Sequence, residues 1–421
     1  MLNTSPITIL TSGNSLGAYV PGIRLVEQLR RRGIPAEAEV LERLFPEETR
    51  RNMIRTKQLF HNSFEAAKMG TRMARDIGLT LDEAVVANLL QRWREEGRSV
   101  FLAVTGFWIP VLQRYEKMMH PEPIRAEFLR LDAVDTPSYR PYEDVYPRYR
   151  HHWLYRLGRE GTSELYAKLT MSDADFVPYP ERERQIVVHG GGWGIGTYRS
   201  KIANIQRHYS LAIVAYHSEE VLDALPCDRI YMTDPNWHPW LEKSLSYDRT
   251  MQAAQATQTA QTTQTAQTTQ TAQTTQTAQT TQTAQTTQTA QTTLTTLTNL
   301  SNQIDTAYPP MAEWKRNEPL TYERGTNGPL LYEVIRNSLA IVSKPGGGTL
   351  IDSLSSATPL IFLEPFGEHE RANAELWEQL GFGISYDRWL EADCSWAMLY
   401  ELHCNLKSQT LSLSDFGGMY T

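Results

Sequence analysis

Ser343-Lys344-Pro345-Gly346-Gly347-Gly348-Thr349-Leu350-Ile351-Asp352 is the stretch on which the reading of this chain turns. Leu339–Ser343 ends an apolar, β-branched run, and the residues from Thr349 to about Ala357 carry a helical pattern. A strand that turns through glycines straight into a helix leaves backbone N–H groups bare at the positive helix end, where an anion can approach. Gly347, Gly348 and Thr349 are thereby placed to hold a diphosphate. Asp352, one turn further on, is placed to accept hydrogen bonds from a ribose. A purely structural alternative makes Thr349 an N-cap and Asp352 the end of a capping box. That alternative accounts for the pair and not for the three glycines.

The same grammar recurs on both sides. Gln185–His189 is a strand that enters Gly190-Gly191-Gly192-Trp193-Gly194-Ile195-Gly196, followed by a helix through about Arg207. Ser210–Tyr216, Arg229–Thr233 and Pro359–Leu363 read as further strands, and Ala372–Leu380 as a helix stopped by Gly381. Toward the N-terminus, Ile7–Thr11 passes through the turn Ser12–Gly17 into a helix with Ile23, Val26 and Leu29 on one face, and Ala36–Leu41 follows as a strand. Pro46–Gly97 reads as helical with few breakers. Val100–Thr105 ends in Gly106-Phe107-Trp108, a helix starts at Pro110, and Arg125–Leu131 ends in Asp132 and Asp135. Strands alternating with helices predict parallel βαβ units, hence an α/β chain of two Rossmann-like domains facing a cleft. The expected boundaries are 1–180 and 184–405.

Within the second domain, 252–298 is a tract built on Gln-Thr-Ala-Gln-Thr-Thr, without charge or aromatic residues. Nothing in its repeat offsets an ordering entropy of about 1–2 kcal/mol per residue, so a disordered low-complexity insertion is expected. The 421 residues are 41% hydrophobic and carry a formal charge of −7. An acidic chain lacks the footprint of a general nucleic-acid binder. Cys227, Cys394 and Cys404 have no metal-ligand spacing, which predicts no metal site and fits a reducing cytoplasmic location. No stretch approaches 18 consecutive apolar residues, so neither a transmembrane helix nor a signal peptide is expected, and peripheral membrane contact stays open.

Several ordered elements over Leu339–Gly383 resemble the donor-binding region of GT-B glycosyltransferases, in the branch of the MurG-type N-acetylglucosaminyltransferases and the galactolipid synthases. The elements are Gly347-Gly348-Thr349, Asp352, Thr358-Pro359-Leu360-Ile361, Pro365-Phe366 with Glu368, His369, Glu370 and Arg371, and Asn373-Ala374. Gly190–Gly196, with Gly191, Gly192 and Gly194, is similar to the glycine loop that opens the C-terminal domain in this branch. The resemblance implies that Thr349 and its neighbours hold a diphosphate, Asp352 the ribose, and Glu368, His369 and Glu370 the sugar hydroxyls. It further implies no tightly bound cofactor, a nucleotide-sugar (a UDP-sugar first) as co-substrate, and a small-molecule or lipid acceptor.

Gly13-Asn14-Ser15-Leu16-Gly17-Ala18 is similar to the family's first glycine loop, where Ser15 and Gly17 would border the cleft. The histidine expected there is Ala18, which cannot take a proton from an acceptor. Asp132, Asp135 and His151 are the alternative bases, and Trp108 a candidate for the acceptor side. A non-catalytic nucleotide-sugar binder and a nucleotide-sugar epimerase remain as rival readings. A dehydrogenase fits poorly, because the glycines after Gly190 lack the G-x-G-x-x-G spacing.

Overall fold

The computed structural model describes residues 6–71, 75–158, 160–170, 177–217, 220, 224–241, 308–315, 318–325 and 328–420. The tract expected at 252–298 lies outside them. The chain forms two compact units, 1–237 with 308–421 and 238–307. In the second, the Leu241 N–H donates to the His238 carbonyl at 2.9 Å. The larger unit carries two large sheets and a two-stranded ribbon.

In the N-terminal sheet, β1 (Ile7–Thr11), β2 (Ala36–Val40), β3 (Val100–Ala103), β4 (Arg125–Arg130) and β5 (Arg150–Trp153) lie in the order β2-β1-β3-β4-β5, all parallel. Helices α1 (Leu16–Arg31), α2 (Glu47–Asn62), α3 (Phe64–Thr71), α4 (Glu83–Glu95) and α5 (Ile109–Met119) link the first four strands. A short antiparallel ribbon follows, β6 (Tyr155–Leu157) with β7 (Ser163–Leu165). In the C-terminal sheet, β8 (Glu183–Val188), β9 (Ser210–Ala215), β10 (Arg229–Thr233), β11 (Met311–Trp314), β12 (Ser338–Ser343), β13 (Leu360–Phe362) and β14 (Gly383–Ser385) run β11-β10-β9-β8-β12-β13-β14. Only the β10–β11 pair is antiparallel. The accompanying helices are α6 (Ile202–Ile205), α7 (Leu330–Arg336), α8 (Gly347–Ser356), α9 (Glu368–Gln379), α10 (Tyr386–Glu391) and α11 (Trp396–Ser412). Two Rossmann-like α/β sheets are thus present, as the alternation predicts.

The strands at the centre follow from burial. Every residue of β1 and of β12 is buried, as expected for parallel strands covered by helices on both faces. Around the first sheet, Trp93, Phe101, Trp108 and Tyr115 pack into one aromatic core. Around the second, Ile186, Val188, Val342, Ile361 and Trp389 form another.

Four local readings differ from this structure. Pro46–Gly97 breaks into three helices, since Ser63 leaves helical geometry at φ −142° and Asp82 starts a new helix by accepting from Ala84 and Val85 N–H. Gly190–Gly196 opens onto a 3₁₀ turn at Tyr198–Lys201 and the single turn of α6, so no long helix points its N-terminus there. His151 lies on β5, a strand hidden in sequence by its polar residues. The chain past 405 continues α11 to Ser412, and Asp415 then accepts from Gln28 Nε2 on α1 at 2.7 Å. The C-terminal residues therefore rest against the N-terminal half. No helix among the described residues is long and apolar enough to cross a membrane.

The two sheets are joined through α1 and α8. A Cβ on Gly348 would stand 3.1 Å from the Cα of Gly17, so the first turns of the two helices meet without side chains between them. Behind that contact, buried Arg24 pairs with Asp352 at 2.5 Å. Asn373 on α9 accepts from the Ala133 N–H at 2.7 Å and donates to Asp132 and to the Pro345 carbonyl. Burial raises the Asp352 pKa and outweighs the opposing charge of Arg24. Removing one partner of a buried pair strands the other charge. Arg24→Met alone should therefore cost about 3–5 kcal/mol, and Arg24→Met with Asp352→Leu should recover most of it. Urea unfolding of both variants checks this, and a neutral single substitution would remove the pair from the account of the junction.

Candidate functional site

A cavity of about 670 Å³ opens between the sheets. It lies at the C-terminal ends of the parallel strands, where the helix N-termini of α/β sheets converge. The turns after β1, β3 and β4 and the side chains of α2 supply its N-terminal wall. The turns after β8 and β12 and the start of α9 supply the C-terminal wall.

Among the helices that start at this cavity are α1 and α8, and neither of these two starts is capped by a side chain. α1 follows Ser15 and α8 follows Gly346, with no acidic residue in either first turn. The free N–H groups and positive dipole ends of both helices are thus left for an anion from outside the chain. Ser15, Gly17, Gly347, Gly348 and Thr349 all line the cavity. The glycines have structural causes as well. A Cβ on Gly192 would meet Leu16 at 2.4 Å, and one on Gly347 the Leu131 carbonyl at 2.4 Å. Gly191 stands at φ +76° and lines the cavity, whereas Gly194, at φ +65°, is closed off by Tyr216 and His61.

Four cations line the cavity, and each has a carboxylate of its own. Arg24 holds Asp352, Lys344 holds Glu370 at 2.5 Å, and Arg130 lies 3.2 Å from Asp135. Lys57 on α2 faces Glu42, whose carboxylate also accepts from Ser12, Gly13 and Asn14 and so shapes the first turn. Burial pulls the Lys57 pKa down to about 7, against the pull of Glu42. Its ammonium sits 3.4 Å from the Trp193 ring centroid. A lysine that loses its proton near neutral pH can act as a base.

His189, the residue that follows β8, is almost wholly enclosed. Its Nδ1 accepts from the Gly191 N–H at 2.9 Å, and its Nε2 has no hydrogen-bond partner among the described residues. Burial, with help from the nearby charge of Lys344, lowers its pKa to about 4, so the ring is neutral.

Of the residues singled out from sequence, several do not serve as expected. Trp108 is fully buried in the first core, with Nε1 donating to the Thr11 carbonyl at 2.9 Å, and lines nothing. Asp135 is held by Tyr146 Oη at 2.6 Å and His151 by the Tyr146 carbonyl, both outside the cavity. Glu368 points to solvent and pairs with Arg371 at 3.2 Å. Asp352 lines the cavity, but Arg24 occupies its carboxylate, which leaves it poorly placed for a ribose. Glu370 is buried between Lys344 and the Phe366 N–H. Asp132 and His369 line the cavity, and so does Ala18. The reading from sequence missed Lys57, His189 and Lys344. A histidine closing a strand before a glycine turn was the available signal for His189.

His61, His217 and Glu220 bring three potential metal-ligand atoms within 4.8 Å of one another, although no metal site was expected from the sequence. The Arg199 guanidinium stands 2.5 Å from His61 Nε2 and 3.0 Å from Glu220. A cation already fills the place a metal would take.

No family model matches the sequence, and no curated protein does. Among solved structures, the chain is similar to the glycosyltransferase SsfS6 of Streptomyces sp. SF2575 complexed with thymidine diphosphate (11% identity, TM-score 0.48, 99% of this chain and 98% of that one). It is also similar to the spinosyn rhamnosyltransferase SpnG complexed with thymidine diphosphate (9%, 0.47, 99% and 98%). A third is Acinetobacter baumannii MurG (8%, 0.47, 99% and 97%). Likeness at this level assigns no function.

The enclosed His189 has a consequence for stability. Below its ordinary pKa of 6.5 the unfolded chain binds a proton that the folded chain refuses until about pH 4. Its contribution is therefore intact above pH 6.5 and is lost as pH falls toward 4, by up to about 1.4 kcal/mol per pH unit. Melting curves of wild type and His189→Gln between pH 7.5 and 4 should converge as acid is added. Parallel curves would mean that the ring is not held neutral.

Proposed function

We propose that the protein is a glycosyltransferase that moves a sugar from a nucleoside-diphosphate donor, a UDP-sugar first, to a small-molecule or lipid acceptor. One observation carries the reading: two uncapped helix N-termini meet at Gly17 and Gly348 in a single large cavity. In a glycosyl transfer the diphosphate gains charge as it leaves. Preorganised N–H donors stabilise that charge most where it develops, because they need no reorganisation. The α8 amides at Gly348 and Thr349, with Lys344 beside them, are such donors. His369, at the start of α9, borders the same wall and is suited to a sugar hydroxyl.

On the opposite wall, Val20, Pro21, Met53, Phe60 and Phe107 give an apolar surface suited to a hydrophobic acceptor. Lys57 and Asp132 are the groups on that wall able to receive its proton. A second reading, a nucleotide-sugar binder without turnover, is favoured by Ala18, which leaves the family's base position empty of any titratable group.

Thermal unfolding against UDP, dTDP, GDP, ADP and NAD tests the binding. A nucleoside diphosphate at about 100 times its dissociation constant should add roughly 2.7 kcal/mol, a rise of a few degrees. Thr349→Val should shrink that rise. No shift with any nucleoside diphosphate, or a shift with NAD alone, would overturn the reading. Release of UDP from UDP-sugars in the presence of phenolic and lipid alcohols separates the two readings, since a pure binder releases none. Lys57→Met should keep the UDP shift and abolish that release.

A further inference from the structure

We infer that His189 is the neutral hydrogen-bond donor that fixes the diphosphate of the ligand, through an Nε2–H that the folded chain leaves without an acceptor. The inference rests on the nucleoside-diphosphate reading and adds a residue to it that the glycine turns alone do not supply.

The tautomer follows from the backbone. Gly191 N–H donates to Nδ1 at 2.9 Å, so Nδ1 holds a lone pair and the single ring proton sits on Nε2. Ser343 Oγ, 3.4 Å from Nδ1, adds to the same side. His189 is 5% exposed and borders the cavity, and its Nε2, itself enclosed in the unliganded chain, meets no acceptor among the described residues. A buried donor without a partner is costly to the fold, and native chains seldom keep one without use. The position has a use. β8 and β12 are neighbours in the sheet, and the His189 N–H donates to the Val342 carbonyl at 3.1 Å. The turn after β12 is the one that starts α8, so the imidazole stands beside the helix N-terminus proposed for the diphosphate.

The charges around it explain why a neutral donor is useful there. Lys344, the cation beside His189, is already tied to Glu370 at 2.5 Å, and the other cavity cations carry partners too. An anion entering this wall finds little unbalanced positive charge. It is held by directed N–H groups, among them the helix amides and His189 Nε2. A Cβ on Gly191 would stand 3.1 Å from Lys344 Cε, so the lysine stem packs against the turn beside the ring.

Two substitutions separate the atoms of the ring. Asn places an acceptor where Nδ1 stands and has nothing at Nε2, whereas Gln reaches the Nε2 position with an N–H. Calorimetric titration with UDP and with uridine, on wild type, His189→Asn and His189→Gln, reads the result, with unliganded melting curves to confirm that each variant folds. His189→Asn should weaken UDP by about 10- to 100-fold, the range of one hydrogen bond to a charged group. It should change uridine little, and His189→Gln should stay within about threefold of wild type, well under one such bond. Unchanged UDP affinity in His189→Asn, or an equal loss for uridine and UDP, would overturn the inference while leaving the nucleotide reading intact. Failure of wild type to bind any nucleoside diphosphate would overturn both.

Discussion

The close approach of the first turns of α1 and α8 is the constraint on which the rest of this molecule depends. Helices whose first turns carry glycine can approach until backbone faces backbone, and here a Cβ on Gly348 would come within 3.1 Å of Gly17 Cα. Two positive helix ends are brought together by that approach, an arrangement that repels unless something negative lies between or beside them. The chain supplies neither a capping side chain nor a first-turn carboxylate to either helix. It places its anionic partner one turn deeper, as Asp352 against Arg24. The junction is thus held by a pair that leaves the helix ends themselves open to the cavity.

Electrostatics around the cavity follow the same economy. Arg24, Lys57, Arg130 and Lys344 are each matched by a carboxylate, so the wall is polar without being a cationic well. Matched charges make poor long-range attractors and good positioning frames, since their directions are fixed by their partners. What is left unmatched is small and directional, the helix amides and the imidazole N–H of His189 among it. Such a site favours a ligand with several acceptor oxygens over one with mere negative charge.

The fold was legible because parallel strands buried on both faces announce themselves. Ile7–Thr11 and Leu339–Ser343 read as strands for the reason that makes them central in the sheets. β5 was not legible, since Arg150-His151-His152-Trp153 is polar and gains its strand from pairing with β4. At the site, the glycine turns and Thr349 could be found from local pattern. The pairings that decide which side chains stay available could not be. Asp352 looks like a free carboxylate in sequence because Arg24, 328 positions away, is invisible there. Trp108 looks like a cleft residue because it follows a strand, and only the packing of Trp93, Phe101 and Tyr115 shows where it goes. The glycines carry two messages at once, ligand approach and close packing, and only the packing of Tyr216 and His61 separates Gly194 from its neighbours.

A crystal structure of the protein with UDP bound is the most direct test of the central claim. The account predicts the diphosphate in the cavity between the sheets, with an oxygen at about 3 Å from the Gly348 or Thr349 amide. UDP bound elsewhere, or those amides satisfied by water with the nucleotide absent at saturating concentration, would contradict it.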